Sequence, residues 1–417
     1  MRIHSLAAIT AVALATAAVA DERAATLPAL TLQDALGLAS NGQPAVEAYT
    51  REAEASEEAA VAARSLPDPK VSVGIQNYPV TGDNALSPTD AMMTMYTIGV
   101  MREQVRRSRR EAEAAQLRAE ASVSRFQGSV RERQIQREVM KAWVDAVEAR
   151  AKQRLFERII GDLRTGQKVI ESAVSTGGSS AALALEAQAE VSLAQAQLSN
   201  AKGAEERARG MLRRWIGAAA DSRLPDELPR LSPPAGIGTP TFDIHPEILV
   251  ANAQERAAQR QVNVAREARK PDISWSVMIG VRPKYGEMIG GSVSIPLQIN
   301  RRNLQDRRIA EAQARTDAAR LRAEDTRREL AGQYDQAMAD YRGAEAQMKQ
   351  IRDGAIPALE QSFNAAEARV EGGQGTFQLP LEIVRRYVEA HVQFVEHEGA
   401  RDRAVADLIY FSGEPAK

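Results

Sequence analysis

Short segments in which apolar and polar residues alternate occur at two places in the chain, each beside long helical tracts. The clearest is 271–296, PDISWSVMIGVRPKYGEMIGGSVSIP, where serine and glycine stand between the apolar positions. Since successive side chains of a strand point to opposite faces, the alternation predicts a strand over 273–281 and a return strand over 288–296. Pro283 and Gly286 mark the turn between them. One apolar face and one small, polar face are typical of a membrane β-barrel wall.

A second alternating region lies in the first half of the chain. It predicts strands at about 71–78 and 93–101, separated by a loop rich in proline, glycine, aspartate and serine. In a barrel wall the apolar face of all four strands would contact lipid. The predicted lipid-facing residues are Val71, Val73, Ile75, Tyr96, Ile98, Val100, Ile273, Trp275, Val277, Ile279, Val281, Val293 and Ile295.

Elsewhere the apolar residues recur every three or four positions, which indicates helices. No proline interrupts 102–174, and a helix of that length would extend about 110 Å. A turn rich in serine and glycine follows, and the next helix is predicted over 181–216. The second half predicts a long helix over 300–371 and a helix over 377–411.

The two halves follow one plan, which predicts a tandem duplication. Pro44 lies 25 residues before Pro69, and Pro246 lies 25 residues before Pro271; each second proline opens a predicted strand. Each half then continues through a hairpin, an arginine-rich helix start and a Gly-Gly turn to a last helix. The predicted divisions are a signal peptide (1–20), a first repeat (21–217), a proline-rich linker (218–243), a second repeat (244–413) and a tail (414–417).

Composition narrows the function classes. The 54 basic and 55 acidic residues nearly cancel, so a nucleic acid is not the expected partner. There is no cysteine, which excludes disulfides and thiolate metal sites.

At the N-terminus Arg2 precedes an apolar run of about 14 residues, shorter than the roughly 20 that span a bilayer. With Ala-Val-Ala before Asp21, this predicts a secretory signal cleaved after Ala20.

Four strands are too few to close a barrel, because a closed barrel needs about eight. Open sheet edges are not tolerated in lipid, where each unpaired backbone group costs several kcal/mol. If the hairpins lie in a membrane, several copies of the chain must share one barrel. Two copies would supply eight strands and three would supply twelve, and the strand pattern alone leaves both open.

The chain resembles outer-membrane factors of the TolC family over about residues 30 to 413. The resemblance depends on the duplicated plan and on five segments: 66–77, 92–101, 271–280, 290–297 and 410–413. It implies a mainly helical fold with a small membrane β part. It also implies a homotrimer in the outer membrane of a Gram-negative bacterium, with a twelve-stranded barrel continued by a twelve-helix periplasmic tunnel. The implied partners are a periplasmic membrane fusion protein and an inner-membrane pump of the resistance-nodulation-division type.

The cargo is suggested by a finer resemblance. LPDP at 66–69, followed by the Met-Thr-Met strand at 93–95, is similar to members that serve heavy-metal efflux. Multidrug efflux and type I protein secretion are the alternatives. Met92, Met93, Met95 and Met101 do not predict a copper site, because alternate residues of a strand face opposite sides. No metal ligands, cofactor or catalytic residues are predicted.

The resemblance also implies a constriction at the Gly-Gly turns, which would form the periplasmic tip of the tunnel. Acidic residues just past these turns would form carboxylate rings in a trimer and favour cations. The alternative is an ordinary acidic residue in a first helical turn, favoured by the helix dipole. The candidate entrance residues are Gly177, Gly178, Glu186, Gly372, Gly373 and Glu382.

The sequence also bears on two other classes of function, enzymes and periplasmic adaptors. After signal removal only His245, His391 and His397 remain, and no HExxH, GxSxG or phosphate loop occurs, so catalysis is not predicted. A periplasmic coiled-coil adaptor would also be long and helical. It would leave the apolar face of the hairpins without a partner, and it would be recovered from the periplasm without detergent.

Overall fold

The structure is a computed structural model that describes residues 29–234, 242–371 and 378–412. The predicted signal peptide, the tail, Gly372 and Gly373 lie outside the described residues. Helices and strands follow one another in the order of the two predicted halves. They are α1 (Leu32–Ala39), α2 (Pro44–Arg64), β1 (Lys70–Gln76), β2 (Met95–Gln104), α3 (Arg107–Ser175), α4 (Ala181–Ile216), α5 (Pro246–Glu267), β3 (Ile273–Arg282), β4 (Gly286–Ser294), α6 (Gln305–Gln350), α7 (Ile356–Glu371) and α8 (Gln378–Ser412).

The chain divides into two compact units, and each unit takes segments from both halves of the sequence. The helical unit comprises Met1–Pro44, Arg131–His245 and Glu329–Lys417. The sheet unit comprises Ala45–Val130 and Pro246–Arg328. The two predicted repeats are therefore interleaved in space rather than folded one after the other.

The sheet unit contains one four-stranded antiparallel sheet in the order β1-β2-β3-β4. The two predicted hairpins meet along β2 and β3, where Ile98 lies opposite Ile279. Each hairpin thus covers one edge of the other, and only β1 and β4 are left as edge strands of this sheet.

The strands differ from the predicted bounds for local reasons. β1 ends at Gln76 rather than at 78, because Asn77 adopts a left-handed backbone with φ of 54°. β2 runs to Gln104, since its pairing with β3 continues to the Gln104–Ile273 pair. The long helix therefore begins at Arg107, not at 102.

The helix predicted over 300–371 starts later in the structure and is not a regular α-helix throughout. The structure has turns before Gln305, and a wide π-helical segment at Ile351–Ala355 separates α6 from α7. Pro357 stands just after this segment. Proline lacks the N–H of a regular helix and its ring clashes with the carbonyl four residues earlier, so a wider turn relieves the clash.

The core of the helical unit is built on α3. Trp143 is fully buried, and its indole Nε1 donates a hydrogen bond to Leu30 O at 3.0 Å. His245 is buried against Tyr410, with ring centroids 5.2 Å apart, and its Nε2 lies 3.2 Å from Tyr410 O. This packing gives His245 a structural role.

A partly buried ion cluster joins α3 to α8 inside the helical unit. Arg403 Nη1 lies 2.6 Å from Glu148 Oε2 and 2.8 Å from Asp145 Oδ1, and Lys152 Nζ lies 2.8 Å from Glu148 Oε1. Glu148 reaches this position across Gly399, since a methyl group there would overlap its Oε2 and lie 2.7 Å from its Cδ. The glycine provides the gap in which the carboxylate is held.

A second cluster fixes the base of the sheet to α3. Arg106 N donates to Asp272 Oδ1 at 3.0 Å, and Arg109 Nη1 lies 2.5 Å from Asp272 Oδ2. Arg106 Nη1 also contacts Glu267 Oε2 at 2.9 Å. A hydrogen bond from the Ser108 hydroxyl, with Arg106 and Lys270, lowers the pKa of Glu267. These arginines thus hold the end of α5 and the start of β3.

Candidate membrane surface and channel entrance

The predicted lipid-facing residues share one face of the sheet. Val73, Ile98, Ile279 and Ile289 form a row of directly opposed residues across all four strands. Neighbouring rows add Val71–Val100–Val277, Ile75–Tyr96–Val281 and the Trp275–Val293 pair. Directly opposed residues of a sheet lie on the same face, so the alternations of the two hairpins are in phase.

Among the residues that the structure describes, none covers this apolar face. Val73 and Ile289 are each 80% exposed, and even Trp275 is 38% exposed. Exposed apolar patches of this extent are rare on water-soluble monomers and mark a surface that meets lipid or a partner. We call the twelve predicted residues that lie in strands, together with Ile289, the apolar face.

Two residues at β4 differ from the prediction. Ile295 lies one residue beyond the end of β4, and its side chain is 51% exposed. Ile289 was left out of the prediction although it completes the central row. The sequence pattern could have predicted this position, because Ile289 is in phase with Val293 at a period of two.

The opposite face carries serine, glycine, threonine and methionine. Ser276 and Ser292 lie opposite each other, with their hydroxyl oxygens 2.9 Å apart. Met95 lies over Gly280, where a Cβ would be 2.8 Å from its sulfur. Small residues thus leave room for the methionine side chains to lie flat against the sheet.

No described helix is both long enough and sufficiently apolar to cross a bilayer.

The first Gly-Gly turn, Gly177-Gly178, lies between α3 and α4. Gly177 has a φ of 77°, and Gly178 N donates to Ala173 O at 2.8 Å. Ser180 then caps α4, accepting a hydrogen bond from Leu183 N at 3.2 Å. A left-handed residue followed by a serine cap reverses the chain within a few residues.

Both candidate entrance acids are paired with arginines of α8. Arg385 Nη2 lies 3.6 Å from Glu186 Oε1 and also contacts Glu190, whereas Arg386 Nη2 lies 2.6 Å from Glu382 Oε1. The hydrogen bond with Glu190 and its charge raise the pKa of Arg385, with smaller effects of Glu186 and Glu382. Each acid is therefore offset by a cation of the same chain, which the prediction of carboxylate rings did not include.

Part of the chain matches a known protein family. Residues 243–414 match the family model described as outer membrane efflux protein. The matched residues make up less than half of the chain and lie in its second half. This match confirms the family resemblance drawn from the sequence.

A curated relative and several solved structures extend the comparison. The nickel-cobalt-cadmium resistance protein NccC of Alcaligenes xylosoxydans xylosoxydans is 32% identical over 216 residues, which are 49% of each chain. The chain thus aligns with about half the length of this relative.

Among solved structures, CusC has a TM-score of 0.78 at 15% identity and covers 92% of both chains. VceC of Vibrio cholerae has a TM-score of 0.74 at 17% identity, over 92% of this chain and 96% of VceC. At these identities the likeness shows the fold, which is the predicted mainly helical fold with a small sheet.

Proposed function

We propose that this protein is the outer-membrane exit duct of a tripartite efflux system. The observation that carries the proposal is the apolar face, whose central row crosses all four strands and whose side chains are exposed. A sheet with one lipid-compatible face and one face of serine, glycine and methionine has the two surfaces that a barrel wall needs.

The two open edges of the sheet support a shared barrel. β1 and β4 each have one side without a strand partner in this sheet, and lipid does not tolerate unpaired backbone groups. Joining β4 of one copy to β1 of the next would satisfy both edges. Three copies would give a twelve-stranded barrel, the homotrimer that the family resemblance implies.

We assign the cargo to heavy-metal cations delivered by an inner-membrane pump through a periplasmic adaptor. The identity with NccC, a nickel-cobalt-cadmium resistance protein, supports this assignment over drug or protein export. As a passive duct the protein needs no catalytic residues. The outer membrane of a Gram-negative bacterium is the proposed location, with the helical unit in the periplasm. A periplasmic adaptor is not favoured, because the domain match and the fold are those of outer-membrane channels.

The test has two arms. Purified protein added to a planar lipid bilayer is expected to form discrete conducting channels, and chemical cross-linking is expected to yield trimers. In the native host, deletion of the gene is expected to raise sensitivity to nickel, cobalt and cadmium. If the protein forms channels but the deletion does not change metal sensitivity, the exit-duct proposal stands and the heavy-metal cargo is refuted. A soluble protein that does not conduct ions would refute the exit-duct proposal itself.

The entrance pairs give a separate prediction. Arg385→Gln removes the cation that offsets Glu186 and Glu190, so a trimer would gain negative charge at the proposed entrance. We expect cation-over-anion selectivity in the bilayer to rise by about twofold or more, since charged rings concentrate counter-ions. Reversal potentials in a salt gradient measure this change.

The matched control is Arg213→Gln. Arg213 also bridges two carboxylates, Glu206 and Asp221, but it lies at the other end of α4. It is expected to leave selectivity unchanged. If both variants change ion selectivity equally, or if Arg385→Gln does not change it, then Glu186 and Glu190 do not lie at the entrance.

A further inference from the structure

A large cavity lies in the helical unit, near the ends of the helices that border the two Gly-Gly turns. Its volume is about 910 Å³, and its walls are the last part of α3, the length of α7 and the start of α8. Ile170, Phe363, Val384 and Tyr387 are among its apolar and aromatic lining residues. Pockets that hold drug-sized molecules have volumes of about 300–1,000 Å³, and this one lies within that range.

The charged side chains that line the cavity are acidic. Asp162, Glu360 and Glu367 line it, and no lysine, arginine or histidine does so among the described lining residues. The Tyr387 hydroxyl donates to Glu360 Oε1 at 3.0 Å, which fixes that carboxylate at the wall. Burial, then the hydrogen bond and charge of Glu360, raises the pKa of Tyr387, so the phenol stays neutral. Arg158 acts on Tyr387 electrostatically but does not line the cavity.

These features distinguish between classes of ligand. Among the described residues, no three carboxylate or imidazole groups lie close enough to hold a metal ion. The cavity instead combines an extended apolar wall, two aromatic rings and carboxylates. Aromatic faces and carboxylates both attract organic cations, and the apolar wall would bury the body of such a molecule. An organic anion would meet the carboxylates of Asp162, Glu360 and Glu367 at the walls.

We propose that this cavity binds an amphipathic organic cation, a molecule with a flat apolar body and one delocalised positive charge. Glu360 and Glu367 would neutralise the charge, and Phe363, Val384 and Tyr387 would contact the body. The site shares no residue with the apolar face. The proposal goes beyond the exit-duct function and does not depend on it, since binding is measured without transport.

The test is equilibrium binding of rhodamine 6G to the purified full chain in lipid nanodiscs, followed by fluorescence anisotropy. Empty nanodiscs give the lipid background. Saturable binding above this background is expected. Fluorescein, an anion of similar shape, and tetramethylammonium, a charge without a flat body, are expected not to compete.

Three variants locate the binding. The double change Glu360→Gln and Glu367→Gln keeps the size of both side chains and is expected to weaken binding at least tenfold. Val384→Trp fills the cavity and is expected to abolish binding. Glu157→Gln, an exposed α3 carboxylate that does not line the cavity, is expected to bind as the unchanged protein does.

Three results would overturn the proposal. They are the absence of saturable binding, unchanged affinity in the Glu360/Glu367 double variant, and equal competition by fluorescein. If Val384→Trp fails to fold, as judged by loss of helical circular dichroism, the double glutamine variant decides alone. Equal competition by tetramethylammonium would show that charge alone is recognised and would refute the apolar part of the site.

Discussion

Ile279→Arg is expected to abolish assembly of the protein in the outer membrane. Ile279 lies in the central row of the apolar face, between Ile98 and Ile289. A charged residue on the lipid face of a barrel near the bilayer midplane costs about 2–4 kcal/mol. In a trimer the cost is incurred three times, so we expect little protein in the outer-membrane fraction and little trimer that resists detergent.

The control for this prediction is Ser276→Arg on the same strand. Ser276 lies on the opposite face, which in the proposed barrel borders the water-filled interior. It is expected to assemble normally and to change conductance only. If Ile279→Arg assembles as well as Ser276→Arg, the apolar face does not contact lipid, and the exit-duct proposal fails with it.

Gly399→Ala is expected to destabilise the helical unit. The added methyl would overlap Glu148, which is 8% exposed and bridges Arg403 and Lys152. Overpacking typically costs about 1–3 kcal/mol, and displacement of Glu148 would also leave Arg403 with fewer partners. This exceeds the gain of up to about 1 kcal/mol when alanine replaces glycine in a helix. The melting temperature of the helical circular dichroism signal is expected to fall.

Gly210→Ala is the matched control, because that helical glycine in α4 has no neighbour within 4 Å of an added Cβ. It is expected to raise the melting temperature slightly. Adding Glu148→Ala to Gly399→Ala removes the overlap, so the double variant is expected to be more stable than the sum of the single effects predicts. If the stability changes of the two single variants add up in the double variant, or if Gly399→Ala is stabilising, then Gly399 does not provide the space that Glu148 occupies.

The pairing of the two entrance acids shows one limit of sequence reasoning. Glu382 and Arg386 are four residues apart on one helix, a spacing that by itself favours an ion pair. Arg385, by contrast, contacts Glu186 and Glu190 almost two hundred residues earlier in the chain. Only the packing of α8 against α4 creates that contact, so no local pattern could have revealed it.

The sequence by itself determined the two faces of each strand, since a period of two needs only the order of residues, and it determined the helices through their period and their breaks. Tertiary structure decided what depends on partners distant in sequence. It joined the hairpins along β2 and β3, brought Gly399 against Glu148, and formed the cavity between α3, α7 and α8. The physical reason is the distance along the sequence over which each property is determined. The direction of a side chain depends on its own backbone, whereas the residues that it contacts depend on how whole helices and strands pack.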